Sequence, residues 1–401
     1  MSFSGAVLPM TSESSMPSSW RAFFLLIPFG LLLFSQLVIS DLPAIFLLLT
    51  AIWRILRTGL PPLNTIDACF IGFVGFSVLG QEIPAVPGDY FFELLAIIFL
   101  YAVFRAVASF LCSEERLQRA ATLVAGTMLL VMLTNFFAIL LQKLDASLLL
   151  SAYVPVAPVG KLSWPFQFSG QLGISLTVLF PLCVAVLGRS MPLRLLLSVL
   201  FLSCCGATGS RSVFWLAVFE ILYSEFFLFK SRSGLSNLLK GLAVCCAIVG
   251  TLLFFADDFS FQRSLGQTEE TPLFFDEPRL KQIIMALRAV PVWARGIGLG
   301  CFSPMYATEI HNTPLNIIVE TGVPGFIFCC LMLLEVGKAF FGKSRRERDN
   351  LHAALVLALL AAAFHGLFRN LLTNRACWFV LALCYSYGQR RSNSAGTVPV
   401  L

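Results

Sequence analysis

The chain has 401 residues, 58% of them hydrophobic and only 12% charged, with a mean hydropathy of +0.84. Soluble domains carry about 25% charged residues, so a soluble enzyme is excluded, and many apolar runs remain that are long enough to span a bilayer. The net charge of +6 does not indicate a nucleic-acid partner, because in a polytopic membrane protein Lys and Arg mark cytoplasmic loops.

Residues 1–19 are rich in Ser, Pro and Met and are expected to be a disordered cytoplasmic tail. Residues 20–401 are expected to form a single integral membrane domain. The first apolar run, Ala22 to Ile39, is long for a signal-peptide core and is followed by a poor cleavage site, so it reads as an uncleaved first span. Spans are expected at about 22–40, 42–56, 64–80, 90–111, 120–142, 166–187, 193–207, 212–229, 240–256, 314–341, 351–368 and 373–388. Several are shorter than the ~20 residues of an upright span, which implies tilted or partly re-entrant helices. The fold class is therefore all-α, a polytopic bundle of about twelve transmembrane helices. The 12 cysteines fall mostly inside apolar runs and read as small packing residues rather than a disulfide or zinc framework.

The charges set an orientation. Arg54 and Arg57, Arg116 and Arg119, Arg189 and Arg194, Lys230 and Arg232, Lys343 to Arg348, and Arg390 and Arg391 all fall on one side of the alternating spans. The positive-inside rule makes that side cytoplasmic, and both termini with it. The longest loop, Asp257 to Asn312, then lies outside, as does the turn carrying Arg211. Arg369 and Arg375 also fall outside, flanking Asn370 to Asn374. Outer arginines oppose the topological bias and call for a reason.

Within the long loop, Pro278 is expected to open an amphipathic helix from Arg279 to Ala289. Its periodicity puts Arg279 on one face with Ile283, Ala286 and Leu287, and turns Lys281 and Arg288 away. Such a helix would lie against the membrane or the bundle. The loop then runs through Gly296, Gly298 and Gly300, which let a chain or ligand approach the backbone closely, to His311 and Asn312. Thr313 and Pro314 look like a helix start, with Thr as the cap and Pro in the first turn, and Glu320 would lie about two turns inside the following span.

Arg211, Arg279 and His311 thus share one compartment. Paired guanidinium groups suit a phosphate or diphosphate. A histidine at a helix N-terminus is biased toward the neutral imidazole, which can take a proton from a hydroxyl. Together they point to a site that holds a lipid-linked diphosphate and activates a hydroxyl against it. No Gly-Lys-Ser/Thr phosphate loop supports ATP chemistry. No metal-ligand spacing is present, so no metal or other cofactor is expected. Each residue also has a plainer reading: Arg211 as a snorkelling helix anchor, Arg279 paired with Asp276 or Glu277, Glu320 bonded to a neighbouring helix, His365 and Arg369 in helix packing.

These residues resemble the hallmark of the O-antigen ligase and O-antigen polymerase superfamily. In that family a His-Asn pair ends an outer loop and runs into a span with a Glu-x-Gly-x-x-Gly pattern; here His311, Asn312, Leu315, Glu320, Gly322 and Gly325 match it. The glycines at 296, 298 and 300 resemble the turn that precedes it. Thr208, Gly209, Ser210 and Arg211 resemble the family's Ser-Arg turn, and Arg279 stands where the family has an arginine opening the loop's amphipathic helix. Before the sixth span the family often carries an arginine and an Asn-Pro-Asn-like turn; here Lys161 takes the arginine's place and the Asn-Pro-Asn is absent.

The resemblance implies a C-type glycosyltransferase (GT-C) fold, with a periplasmic catalytic loop at 257–313 in the bacterial inner membrane. It implies a donor glycan on undecaprenyl diphosphate and, for a ligase, lipid A-core as acceptor. His311 would be the base, Arg211, Arg279 and Lys161 would bind the diphosphate, and Asn312 and Glu320 would support them, in a metal-independent inverting transfer. A polymerase joining lipid-linked repeat units, or transfer of the glycan to a protein, shares these features. The rival of another class is a secondary transporter or flippase, which would place charges on broken helices near the midplane, often in repeated halves.

Overall fold

The computed structural model describes residues 63–79, 87–111, 113–143, 169–229, 234–255, 262, 265, 277–288, 293–307, 309–342 and 349–389. The expected tail at 1–19, the expected spans at 22–40 and 42–56, and Lys161 lie outside them. Among the described residues the chain is helix and turn, without strands. The helices are α1 (Thr65–Leu79), α2 (Pro87–Phe110), α3 (Glu114–Lys143), α4 (Ser169–Leu187), α5 (Met191–Ala207), α6 (Arg211–Tyr223), α7 (Gly234–Phe254), α8 (Glu277–Arg288), α9 (Phe302–Tyr306), α10 (Thr313–Phe341), α11 (Asn350–Gly366) and α12 (Arg375–Gln389). Every expected span that falls on described residues is a helix. Among the described residues, four helical stretches are long and apolar enough to cross a membrane: Phe92–Phe110, Glu114–Leu141, Ser169–Leu187 and Thr313–Phe341.

Side-chain burial separates an inner face from an outer one. On α10, Val323, Ile327, Leu331 and Leu334 are 41%, 50%, 41% and 57% exposed, while Cys329, Met332, Val336 and Phe340 are buried. The spacing of each row follows the helical repeat. A continuous exposed apolar row of this kind is what a helix presents to lipid chains. Most of the α4 span (78%) is buried, so α4 is a central post. It packs against α3 and α11, and α10 packs along α1 and α12. Close approach depends on small residues: a Cβ at Gly72 of α1 would fall 2.6 Å from the Phe328 ring, and one at Gly388 of α12 would meet the Ala339 and Phe340 backbone.

Polar side chains tie one end of the bundle together. Asn64 and Asp67 form a reciprocal cap on α1, each side chain accepting the other's backbone N–H at 3.0 Å. Asp67 also receives the Tyr101 hydroxyl and the Arg105 Nε (3.0 Å) from α2, and Asn64 donates to Tyr385 of α12. Asp349 caps α11 through His352 N (2.8 Å) and accepts the Tyr387 hydroxyl (3.0 Å).

Two expectations are corrected. Arg194 is expected in a basic loop but sits buried inside α5. Its Nε donates to Glu225 Oε1 at 2.6 Å and its Nη1 to the Gly188 carbonyl at 3.2 Å, and its guanidinium lies 4.3 Å from the Phe229 ring centroid. Glu225 belongs to a π-helix, Ser224–Leu228, that continues α6. The charge is held by a partner across the bundle rather than by water. Cys245 and Cys246 are expected to pack inside but are exposed on α7, whereas Cys69, Cys183, Cys204, Cys205, Cys329, Cys377 and Cys384 are buried free thiols.

Removing one member of a buried ion pair leaves the other charge unpaired, at a cost of about 3–5 kcal/mol. Arg194→Met is therefore expected to lower the melting temperature strongly, and Arg194→Met with Glu225→Leu to recover most of it, as read by thermal unfolding of purified protein. A double variant no more stable than the single one would show that the pair is not the origin of the loss.

Candidate functional site

The site is built on an interruption of α10. Gly322 has φ 74° and ψ 171°, outside the helical region, and Pro324 follows it. A proline lacks the N–H that a continuous helix needs and crowds the turn before it. The backbone groups exposed by the break are taken up by the glycine turn. The Val319 carbonyl accepts Ile297 N at 3.1 Å, the Glu320 carbonyl accepts Gly298 N at 2.8 Å, and Val323 N donates to the Trp293 carbonyl at 2.6 Å. Gly296 and Gly322 lie back to back. A Cβ on Gly296 would fall 2.5 Å from Glu320 O and Gly322 N, and one on Gly322 would fall 2.6 Å from Arg295 C. Both also have positive φ, as do Gly298 and Gly300. The close approach expected of these glycines is thus an approach of chain to chain.

Glu320 therefore does not sit in an unbroken span. The exposed apolar row of α10 begins at Val323, beyond the break, and the preceding arm, residues 313–321, packs on the glycine turn instead. Glu320 is 3% exposed. Its Oε1 accepts Phe302 N at 3.4 Å and its Oε2 accepts Asn316 Nδ2 at 2.9 Å. It joins the arm to the start of α9. On the other side of the turn, Trp293 Nε1 donates to the Ala286 carbonyl at 3.2 Å, which ties α8 to the same structure. Helix α8 starts at Glu277, slightly before the expected Arg279, so Arg279 lies in its first turn. On α8 Ala286 is buried, while Leu280, Ile284 and Leu287 are exposed. Leu287 thus departs from the face it is expected to share with Ala286.

His311 immediately precedes the cap of α10 and is half-buried, next to the buried Ile310. The cap is Asn312, not Thr313. Its Oδ1 accepts Leu315 N at 2.9 Å and its Nδ2 donates to the Leu367 carbonyl at 3.0 Å. Thr313 is released from capping, and its hydroxyl donates to the Arg369 carbonyl at 2.6 Å and accepts Leu371 N at 3.0 Å. The stretch 311–313 is thereby fastened to the turn between α11 and α12.

That turn leads to α4 and then to Arg211. The Arg369 guanidinium lies against Gly170, where a Cβ would fall 2.7 Å from Arg369 Cζ. One turn on, Gly173 meets Val213, two residues after Arg211 at the start of α6. Gly209, with φ 65°, turns the chain into α6. The N-termini of α4, α6 and α10 accordingly share one end of the bundle, together with His311, Asn312 and Arg211. Helix N-termini carry partial positive charge, so this end favours an anion. Arg279 lies seven residues before Ala286, the residue of α8 that Trp293 holds, and Lys161 lies outside the described residues.

Sequence reasoning leaves Arg369 in helix packing, and its place beside the α10 cap is a contact between distant segments that no local pattern announces. His365, also read as packing, pairs Nε2 with Thr177 Oγ1 at 2.8 Å across α11 and α4. Among the described residues no group of three His, Cys, Asp or Glu side chains is arranged to hold a metal. No protein-family model matches the chain, and no curated protein matches it.

Gly322 occupies a backbone region that is essentially reserved for glycine, where another residue costs about 1–3 kcal/mol before any clash is counted. Gly322→Ala and Gly296→Ala are each expected to lower the melting temperature and to expose the loop at 293–302 to protease. Gly75→Ala, in open space on α1, is expected to leave both unchanged. Protease resistance equal to wild type in the first two variants would contradict the back-to-back packing.

Proposed function

We propose that this chain is an O-antigen ligase. It would transfer a glycan from undecaprenyl diphosphate to lipid A-core at the periplasmic face of the bacterial inner membrane, through about twelve transmembrane helices of GT-C type with both termini cytoplasmic. The observation that carries the reading is the gathering of His311, Asn312 and Arg211 with three helix N-termini at one end of the bundle. An anionic, membrane-anchored substrate fits that end: its diphosphate meets the positive helix termini and the arginines, while its lipid tail lies along the exposed apolar faces of the bundle.

The chemistry follows from the residue types. His311 takes the proton from the acceptor hydroxyl as its oxygen attacks the anomeric carbon. The bond from that carbon to the diphosphate oxygen breaks with inversion, and the electron pair leaves with the diphosphate. Arg211 and Arg279, with Lys161, offset the charge that collects there. Asn312 fixes the backbone beside His311 by capping α10, and Glu320 holds the loop that carries α9. No step calls for a metal.

Two other readings draw on specific features. A polymerase would use the same groups with a second lipid-linked repeat unit as acceptor. A transporter is favoured by the broken α10 with a carboxylate beside the break. Against it, the Glu320 oxygens and the carbonyls at the break are engaged by the protein's own N–H groups, which supports an enzyme. Gel analysis of surface polysaccharide in a deletion strain separates all three. Core without O-chain, with lipid-linked polymer accumulating, indicates the ligase. Single repeat units on the core indicate the polymerase. Unchanged surface glycan removes both enzymes from consideration.

His311→Ala is expected to reduce turnover by about a hundredfold or more with melting temperature unchanged. The pH profile assigns the role: a base loses activity as pH falls through its pKa, and a phosphate-binding imidazolium loses it as pH rises. Full activity of the variant at every pH would remove His311 from the mechanism. Topology is tested by labelling with a membrane-impermeant maleimide. Ser303→Cys is expected to react in intact spheroplasts, and Glu115→Cys only after permeabilisation. The reverse pattern would put donor and site on opposite sides of the membrane.

A further inference from the structure

We infer that α8 is an interfacial anchor: its exposed apolar row, Leu280, Ile284 and Leu287, enters the acyl chains of the leaflet beside the glycine turn, and Arg288 and Lys281 meet the phosphates of that leaflet's headgroups. The inference stands apart from the proposed glycan transfer. It concerns the surface that α8 turns away from the bundle. The periodicity of this helix suits a bed of membrane or of protein, and the structure gives it one side for each.

At 100° per residue, Leu280, Ile284 and Leu287 fall within about 60° of one another, and Ala286 lies about 130° from the middle of that row. Ala286 is buried, and its carbonyl accepts Trp293 Nε1 at 3.2 Å, so its side of the helix is held against the protein. The row itself is exposed. Arg288 and Lys281 are exposed as well, and they follow Ile284 at about 40° and 60° further round. Met285, also exposed, lies beyond them. Round the helix the order is therefore protein contact, apolar row, cations and a last open side. An apolar stripe edged by cations is the pattern of a helix lying in the plane of a bilayer surface. There the long cationic side chains lay their stems on hydrocarbon and carry their charges to the phosphates.

Depth decides between lipid and water. The Trp293 carbonyl accepts Val323 N at 2.6 Å. Val323 opens the exposed apolar row that α10 presents to lipid chains. Trp293 thus grips the middle of α8 with its indole and the first lipid-facing residue of α10 with its backbone. Two hydrogen bonds join α8 to the level at which the lipid-facing surface begins, and that level is the boundary between hydrocarbon and headgroups. Tryptophan is itself enriched at this boundary, and Trp293 is half-buried there. The apolar row of α8 accordingly extends a lipid-facing surface that α10 has already begun.

The test uses the purified full chain in nanodiscs. Ile284→Cys and Met285→Cys are each labelled with a small environment-sensitive fluorophore, with the labelled parent chain as the blank. Quenching is read with a nitroxide on the lipid acyl chains and with iodide in the water. The nitroxide is expected to quench the label at 284 at least about threefold more than the label at 285, and iodide to show the reverse, although the two residues are neighbours. In nanodiscs containing phosphatidylglycerol, Arg288→Glu should reduce acyl-chain quenching at 284 by about twofold or more, and Arg288→Lys should retain it. Leu287→Cys reports on the same row if Ile284→Cys folds poorly. Iodide quenching of both labels alike would show a face open to water. Protection of both from both quenchers would show a protein cover, and equal acyl-chain quenching would show no sidedness; any of the three overturns the inference. Unchanged quenching in Arg288→Glu would overturn the headgroup contact. None of these readings involves glycan transfer or a diphosphate, so the inference and the proposed function fail separately.

Discussion

The structure turns on a short stretch of backbone pairing between a glycine turn and a broken helix. A helix that enters a membrane cannot leave N–H and C=O groups unpaired, because hydrocarbon offers them nothing. At Gly322 α10 does leave them unpaired, and the turn at 293–298 supplies the missing partners to Val319, Glu320 and Val323. Break and turn are therefore a single feature. Without the turn, the break would expose costly polar groups; without the break, the turn would have nothing to bind and α9 no anchor at Glu320.

Everything at this end of the bundle follows from that pairing. The arm of α10 ahead of the break is freed from the direction of the span behind it, and its first residues reach the turn between α11 and α12. Asn312 and Thr313 complete the junction with side-chain bonds to Leu367 and Arg369. Arg369 in turn rests on α4, and α4 meets α6 just inside Arg211. The opposite end is built differently, from buried acids with partners on neighbouring helices: Asp67 with Arg105, and Glu225 with Arg194. One end is tied by these ion pairs, and the other gathers the N-termini of α4, α6 and α10.

The helices were legible because each span is a long apolar run, and length with hydropathy needs no knowledge of neighbours. Ser169–Leu187 and Thr313–Phe341 fall close to where the apolar runs place them. The positions of His311 and Arg211 at helix starts were legible as well, since Pro314 and the turn at Gly209 are local signals. What was not legible depends on partners far away in sequence. Thr313 and Asn312 are both capping types, Asn the stronger, and what sequence does not show is that the Thr313 hydroxyl is taken by the Arg369 carbonyl instead. Glu320 reads as a buried acid within a span because the nearby Gly322 and Pro324, which permit a break, do not say where the freed backbone groups go; the turn at Gly296 decides that. Arg194 reads as a loop charge because its partner Glu225 lies on another helix. The chemistry of the site came from residue type, and its assembly from contacts between segments that only the fold brings together.

The pairing at the break is made by main-chain groups, and this shapes how the protein can evolve. Its register is indifferent to most side chains it carries, provided glycine is kept where the two strands of backbone touch. Exposed positions beside it, such as Ala294, Ser303 and Met305, can change in size and polarity without altering the hydrogen bonds that fix the loop. The surface around this junction can therefore change by single substitutions while the backbone frame stays as it is.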